Sequence, residues 1–272
     1  MRRAWTTAIA MAATLTFVSV GVAQPKLGAP LLLKSAPVAE AEQVAKESVA
    51  TFRANPADLR SKVPALEKAL AGWSAATETE TNPVIVHNGL AEQLMVKMWL
   101  NMPEAKSVAA RSPRFVEDPY PHIAYLLGFY YNEVGQPDLA IKALSAGLDE
   151  LKTHLEWTLA ETTPALLLET GAAHNIAHLW QAAYDAYAQV LALPKGKMTA
   201  AQAKAYRGQG FSLVEMNRLD EAKAAYEQSL ALEPENALAK RELAYIADLK
   251  TGGAKQVPTL DGKPFPASGA AR

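Results

Sequence analysis

Glycine recurs at positions 128, 171 and 210, and the same residue types return around each copy at the same offsets. Leu127, Gly128 and Tyr131 are followed by Ala140, Leu144 and Gly147. Leu167 and Gly171 are followed by Ala183 and Tyr187. Tyr206, Gly210 and Leu213 are followed by Ala222, Tyr226, Ser229 and Pro234. A glycine inside a helical pattern costs about 1 kcal/mol relative to alanine. Close approach of a second helix is the natural compensation. Large apolar residues at matching offsets then fill the space between neighbouring units. The copies lie 43 and 39 residues apart, a self-similarity at the period of a repeat array.

These residues, and above all the stretch Leu219 to Ala239 (LDEAKAAYEQSLALEPENALA), resemble the tetratricopeptide repeat family. The departures are Gln209, where the family prefers leucine, and His174 and Val190 in the middle copy. The resemblance implies an all-α fold, a right-handed stack of antiparallel helix pairs, with Gly128, Tyr131, Ala140, Gly171, Ala183, Tyr187, Gly210, Ala222, Tyr226 and Pro234 as packing residues. It covers residues 119–250. It further implies a concave groove lined by the first helix of each unit, receiving an extended peptide or a partner helix. Its groove-facing offsets fall on His122, Tyr125, Phe129, Asn132 and Glu133, then Asn175 and Ile176, then Lys204, Arg207, Phe211 and Glu215. Tyr125 and Phe129 fit equally a packing role against the preceding helix.

The rest of the chain divides by composition. Arg2 and Arg3, an uncharged run over 4–20 and the small residues Gly21-Val22-Ala23 have the layout of a secretory signal peptide cut after Ala23, with a retained membrane anchor as the alternative. Residues 24–38, with three prolines, read as a linker. Residues 39–118 have helical spacing: Asn55-Pro56 starts a helix carrying Leu59, Val63, Leu66, Leu70 and Trp73 on one stripe. Ile85, Leu90, Leu94 and Met98 suggest a further helix, and Gly89 a degenerate fourth unit. Val84-Ile85-Val86 is strand-like but too isolated to build a sheet, and proline-rich 111–121 reads as a boundary. Asn236 to Lys250 is a capping helix, and 251–272, with four glycines and three prolines, an unordered tail.

The chain has no cysteine and a net charge of −1, or −3 once the two N-terminal arginines are removed. That excludes disulfides, thiolate metal sites and thiol catalysis, and gives no basic surface for nucleic acid. His174 and His178 are four apart, but Asn175 stands where a zinc protease needs glutamate, so no metal or cofactor is expected. His154, at a helix end near Trp157, reads as an unremarkable, partially exposed histidine, and His87 and His122 as single and unpartnered. No catalytic motif appears. The expectation is a non-catalytic, periplasmic scaffold binding a protein or peptide of the cell envelope. The alternatives are an enzyme or enzyme subunit with its site in 39–118, and a homo-oligomer pairing through apolar stack ends.

Overall fold

In the computed structural model the described residues are 33–34, 37–74, 84–154, 157–194, 199–252, 259–260 and 263–264. The signal-peptide segment and most of the 24–38 and 251–272 stretches lie outside them. Helix α1 (Pro37–Ala54) leads into a 3₁₀ segment capped by Asn55, whose Oδ1 accepts from the Ala57 amide, and then into α2 (Val63–Ser74). After an excursion over 84–117, the chain continues with α5 (Tyr120–Glu133), α6 (Pro137–Leu151), α7 (Thr162–Ile176), α8 (Trp180–Ala192), α9 (Thr199–Glu215), α10 (Leu219–Leu232) and α11 (Ala237–Lys250). The architecture is the expected all-α stack. Pairs α5–α6, α7–α8 and α9–α10 pack internally and on their successors, α1 and α2 both pack on α5, and α11 closes the far end against α10.

The glycines sit where bulky side chains need room. A Cβ on Gly171 would meet the Tyr187 ring at 2.6 Å, and one on Gly210 would meet Tyr226 at 2.6 Å. A Cβ on Gly128 would run into Leu144, and one on Gly147 into Ala124. Ala140, Ala183 and Ala222 are fully buried at the helix contacts. Tyr131 is buried too, its hydroxyl donating to Glu67 of α2, and Pro234 follows the end of α10.

The turns inside the three pairs repeat as closely as the helices. Gly135, His178 and Asn217 have φ of 69°, 59° and 59°. In each turn the next amide reaches back five residues, from Gln136 to Tyr131, Leu179 to His174 and Arg218 to Leu213, at 2.8 Å each time. This left-handed closure satisfies the orphan carbonyls of the first helix. Gly135→Ala is therefore expected to lower stability by about 1 kcal/mol, read as the shift in the urea midpoint at constant slope. It also separates His178, in the turn, from His174 on α7, so the two do not share a helical face.

Between α2 and α5 the structure departs from expectation. Strand β2 (Val84–His87) is fully buried and is not isolated. It pairs antiparallel with β1 (Leu33–Lys34), from the stretch read as linker, and parallel with β3 (Arg114–Glu117), from the stretch read as a boundary. Parallel pairing demands a crossover, supplied by α3 (Leu90–Trp99) and α4 (Lys106–Ala109). Gly89 is consequently no repeat glycine: it sits at φ 91° in the turn before α3. The stripe Leu90, Leu94 and Met98 is exposed. Buried Val96, with half-buried Trp99 and Leu100, faces Ile85, Val108 and Phe115 in a small core instead. The preceding helix pair is α1–α2, and the strand-bearing module is inserted after it. In the tail the described residues form two short paired strands, β4 (Thr259–Leu260) and β5 (Lys263–Pro264).

Candidate functional site

Of the residues assigned to a groove, those on α5 remain near the surface. Tyr125 and Phe129 are half-buried and meet Phe52 of α1 edge-on, at ring separations of 6.0 and 4.9 Å. They thus take the packing role on the preceding helix while keeping part of their surface. Burial, with the charge of Glu169 adding to it, pushes the Tyr125 phenol up to about 12, so it stays neutral. Asn132 donates through Nδ2 to the backbone oxygen and carboxylate of Glu169, both at 3.0 Å. Lys204 approaches the same carboxylate at 3.6 Å. Successive first helices α5, α7 and α9 are so linked by a polar row. Glu133 is exposed, and Ile176 and Glu215 are half-buried.

Three residues assigned to the groove are packed elsewhere. Asn175 is fully buried: its Oδ1 accepts from Ser212 Oγ at 2.9 Å and its Nδ2 faces the Tyr187 hydroxyl at 3.5 Å. Phe211 is buried against Trp180, with ring centroids 6.0 Å apart. Arg207 turns to its own partner helix, donating to Ser229 Oγ at 3.2 Å and pairing with Glu233 at 2.6 Å. The family offsets assume that both flanking units are regular. Here the large ring of Trp180 takes Phe211, Ser212 takes Asn175 and Glu233 takes Arg207.

A cleft of about 420 Å³ opens between α1 and the start of α5. Ala45, Val49, Ala50 and Pro119 make its apolar lining. Glu42, Lys46, Arg53, Glu117 and His122 bring both signs of charge to it. Glu42 is held below the usual carboxylate range by its hydrogen bond to Lys46, which outweighs the opposing effect of burial, with Arg114 adding a second donor. His122, one of the groove residues of the sequence reading, lines this cleft.

Immediately behind this cleft is an arrangement invisible in the sequence. His154, in the connection from α6 to α7, is 4% exposed and lies between two buried carboxylates. Its Nδ1 is 2.9 Å from Glu92 Oε2, and its Nε2 is 2.8 Å from Asp118 Oδ2. Burial alone would push the imidazole down. The hydrogen bonds and charges of Asp118 and Glu92 outweigh it and hold His154 up at about 9, so at neutral pH both ring nitrogens donate. Each carboxylate also serves a helix N-terminus. Glu92 Oε2 accepts from the Asn88 amide at 2.5 Å ahead of α3, and Asp118 Oδ1 from the Tyr120 amide at 2.9 Å at the start of α5. Two anions are thereby met by one imidazolium and two half-positive helix ends. His87 nearby is the opposite case: burial lowers it, so it stays neutral and accepts from Gln93 Nε2 at 3.3 Å.

Asp118, Glu150 and His154 offer ligand atoms all within 4.8 Å of one another, the spacing of a cation site. A metal ion there would have to displace Asp118 from the Nε2 proton that it already holds. Asp118 borders the cleft, but its side chain is 1% exposed, as is that of His154. The cluster therefore fixes the cleft wall and docks the inserted module on the stack. It does not present a reactive group.

No known family profile matches the chain, and no curated protein matches it. Among solved structures, the first tetratricopeptide domain of human RPAP3, determined by NMR, is similar at 28% identity. It covers 48% of this chain and 95% of that domain with a TM-score of 0.40. The first such repeat domain of Spaghetti (RPAP3), bound to the HSP90 peptide SRMEEVD, is 26% identical, covering 48% of this chain and 94% of that one, also with a TM-score of 0.40.

Proposed function

We propose that the protein is a non-catalytic adaptor that holds an extended peptide or helix of another protein along the face formed by α1 and α5. The observation carrying this is the cleft at their junction. It has an apolar floor, charges of both signs at its edge, and the half-buried rings of Phe52, Tyr125 and Phe129 on the same two helices. Aromatic anchors beside a polar rim are what concentrate binding energy at an interface. The reading extends to the compartment: the N-terminal layout supports export, and the partner is then an envelope protein met in the periplasm after cleavage at Ala23.

A photo-reactive residue placed at Arg53 tests it in cells, with the exposed Lys223 of α10 as the control position. The expected result is a defined protein adduct from position 53 in the envelope fraction and none from 223. Phe129→Ala is expected to reduce the yield at least about tenfold, the loss typical of an aromatic anchor, with the melting temperature followed in parallel. Sequencing of the exported chain is expected to begin at Gln24. Equal labelling from both positions, or none from 53, would contradict the reading.

A further inference from the structure

The inserted module carries an apolar surface that nothing described covers. On α3, Leu90 is 68% exposed, Leu94 50%, Met95 46% and Met98 67%, and Met102 just beyond the helix is 44% exposed. The opposite side of the same helix, Val96 with Trp99 and Leu100, already fills the module's own core. A helix apolar on both sides belongs in an interior. By contrast, exposed Val134, Leu139 and Leu179 are scattered along the repeat pairs, which is ordinary for a surface.

We infer that α3 is the contact of a two-fold homodimer, its Leu90–Leu94–Met98 ridge packing on the same ridge of a second copy. The described polar residues at the edge of this face are engaged on the module itself, Asn101 donating through Nδ2 to the Lys97 backbone oxygen at 2.8 Å. The Lys97 ammonium lies over the Phe115 ring, 5.2 Å from its centroid, and the Gln93 amide is directed at His87. Among the described residues the ridge itself therefore carries no charge, and the polar groups at its edge are already engaged on the module. An identical apolar face covers it without burying a charge or pairing like charges, as an isologous contact requires. Residues four apart form a ridge that interdigitates with an equal ridge at about −50°, the commonest helix crossing. The exposed parts of these five residues come to about 500 Å² per copy, so their complete burial in a symmetric pair covers about 1,000 Å², the lower edge of specific interfaces. Flexible methionines suit such a surface, since they adapt to the facing groove.

Sedimentation of the full exported chain from low to high micromolar concentration tests this. A two-chain mass is expected, reverting to one chain in the Leu94→Glu/Met98→Glu double variant with an unchanged melting profile. Leu179→Glu, an equally exposed leucine on the repeat stack, is expected to leave the two-chain mass intact. Because the chain has no cysteine, Leu94→Cys supplies a single thiol, expected to form an interchain disulfide on mild oxidation, while Leu179→Cys does not. A one-chain mass for the unmodified protein throughout would overturn the inference. So would a dimer that survives the double variant, or equal cross-linking from both thiols.

Discussion

His154→Ala is expected to lower stability by about 3–5 kcal/mol, the cost of leaving buried charges without their counter-ion. The substitution removes few apolar contacts, so a loss of this size isolates the electrostatic role. Glu92 and Asp118 would keep their bonds to helix amides but lose the cation between them. Alkali should produce the same loss in the unmodified protein. The imidazole is held at about 9 in the folded chain, above its ordinary 6.5, so the stability it contributes is fully present below 6.5 and disappears as pH rises to about 9. That interval corresponds to about 3 kcal/mol. Urea titrations at several pH values are the measurement. The unmodified protein should weaken across this window, whereas His154→Ala should be nearly flat there. A variant that keeps the same pH slope would assign the titration to another group.

Gly208→Ala should destabilise the protein by about 1–3 kcal/mol, although alanine is the better helix former by about 1 kcal/mol. The decision lies with Tyr187. Its ring lies against Gly171 of α7 and Gly208 of α9, and a Cβ on either glycine would collide with it. The ring is 2% exposed and has no free side to move towards. The same argument predicts a reversal of sign. In a Tyr187→Ala background, itself costing about 3–5 kcal/mol, Gly208→Ala should become stabilising by about 1 kcal/mol, because only the helix preference remains. A double-mutant cycle by chemical denaturation measures both legs. Additive effects would sink the account.

The repeat was legible because its packing residues are local and recur: each glycine meets the bulky residue sixteen positions later in its own pair. Gly147, seated on Ala124, and Gly208, which serves a ring from the preceding unit, do not follow this rule, and the role of Gly208 as seat for Tyr187 needed the fold. The inserted module was hidden for a different reason. Its sheet assembles short strands from three separated stretches, and two of them carry the prolines that argued for linkers. Buried on every residue, Val84–His87 has no alternation to read. His154 was hidden by distance, with partners 62 and 36 residues away and nothing local to distinguish it from a histidine at a helix end. One weak signal existed: it stands in the extra residues between α6 and α7. The groove positions on α5 stay near the surface, whereas neighbouring helices claim the side chains of Asn175, Arg207 and Phe211.

The two cores of the stack carry a mechanical consequence. One runs from Val38 to Ala205, while Leu213, Val214, Ala222, Ala225, Tyr226, Ala239 and Ile246 form a separate cluster around α10 and α11. The division falls within α9, over the turns that hold Gly208 and Gly210. Ser212 on Asn175 and Phe211 on Trp180 bridge that seam, so a pull on the C-terminal end passes to α7 and α8 through a few side chains and not through continuous apolar core.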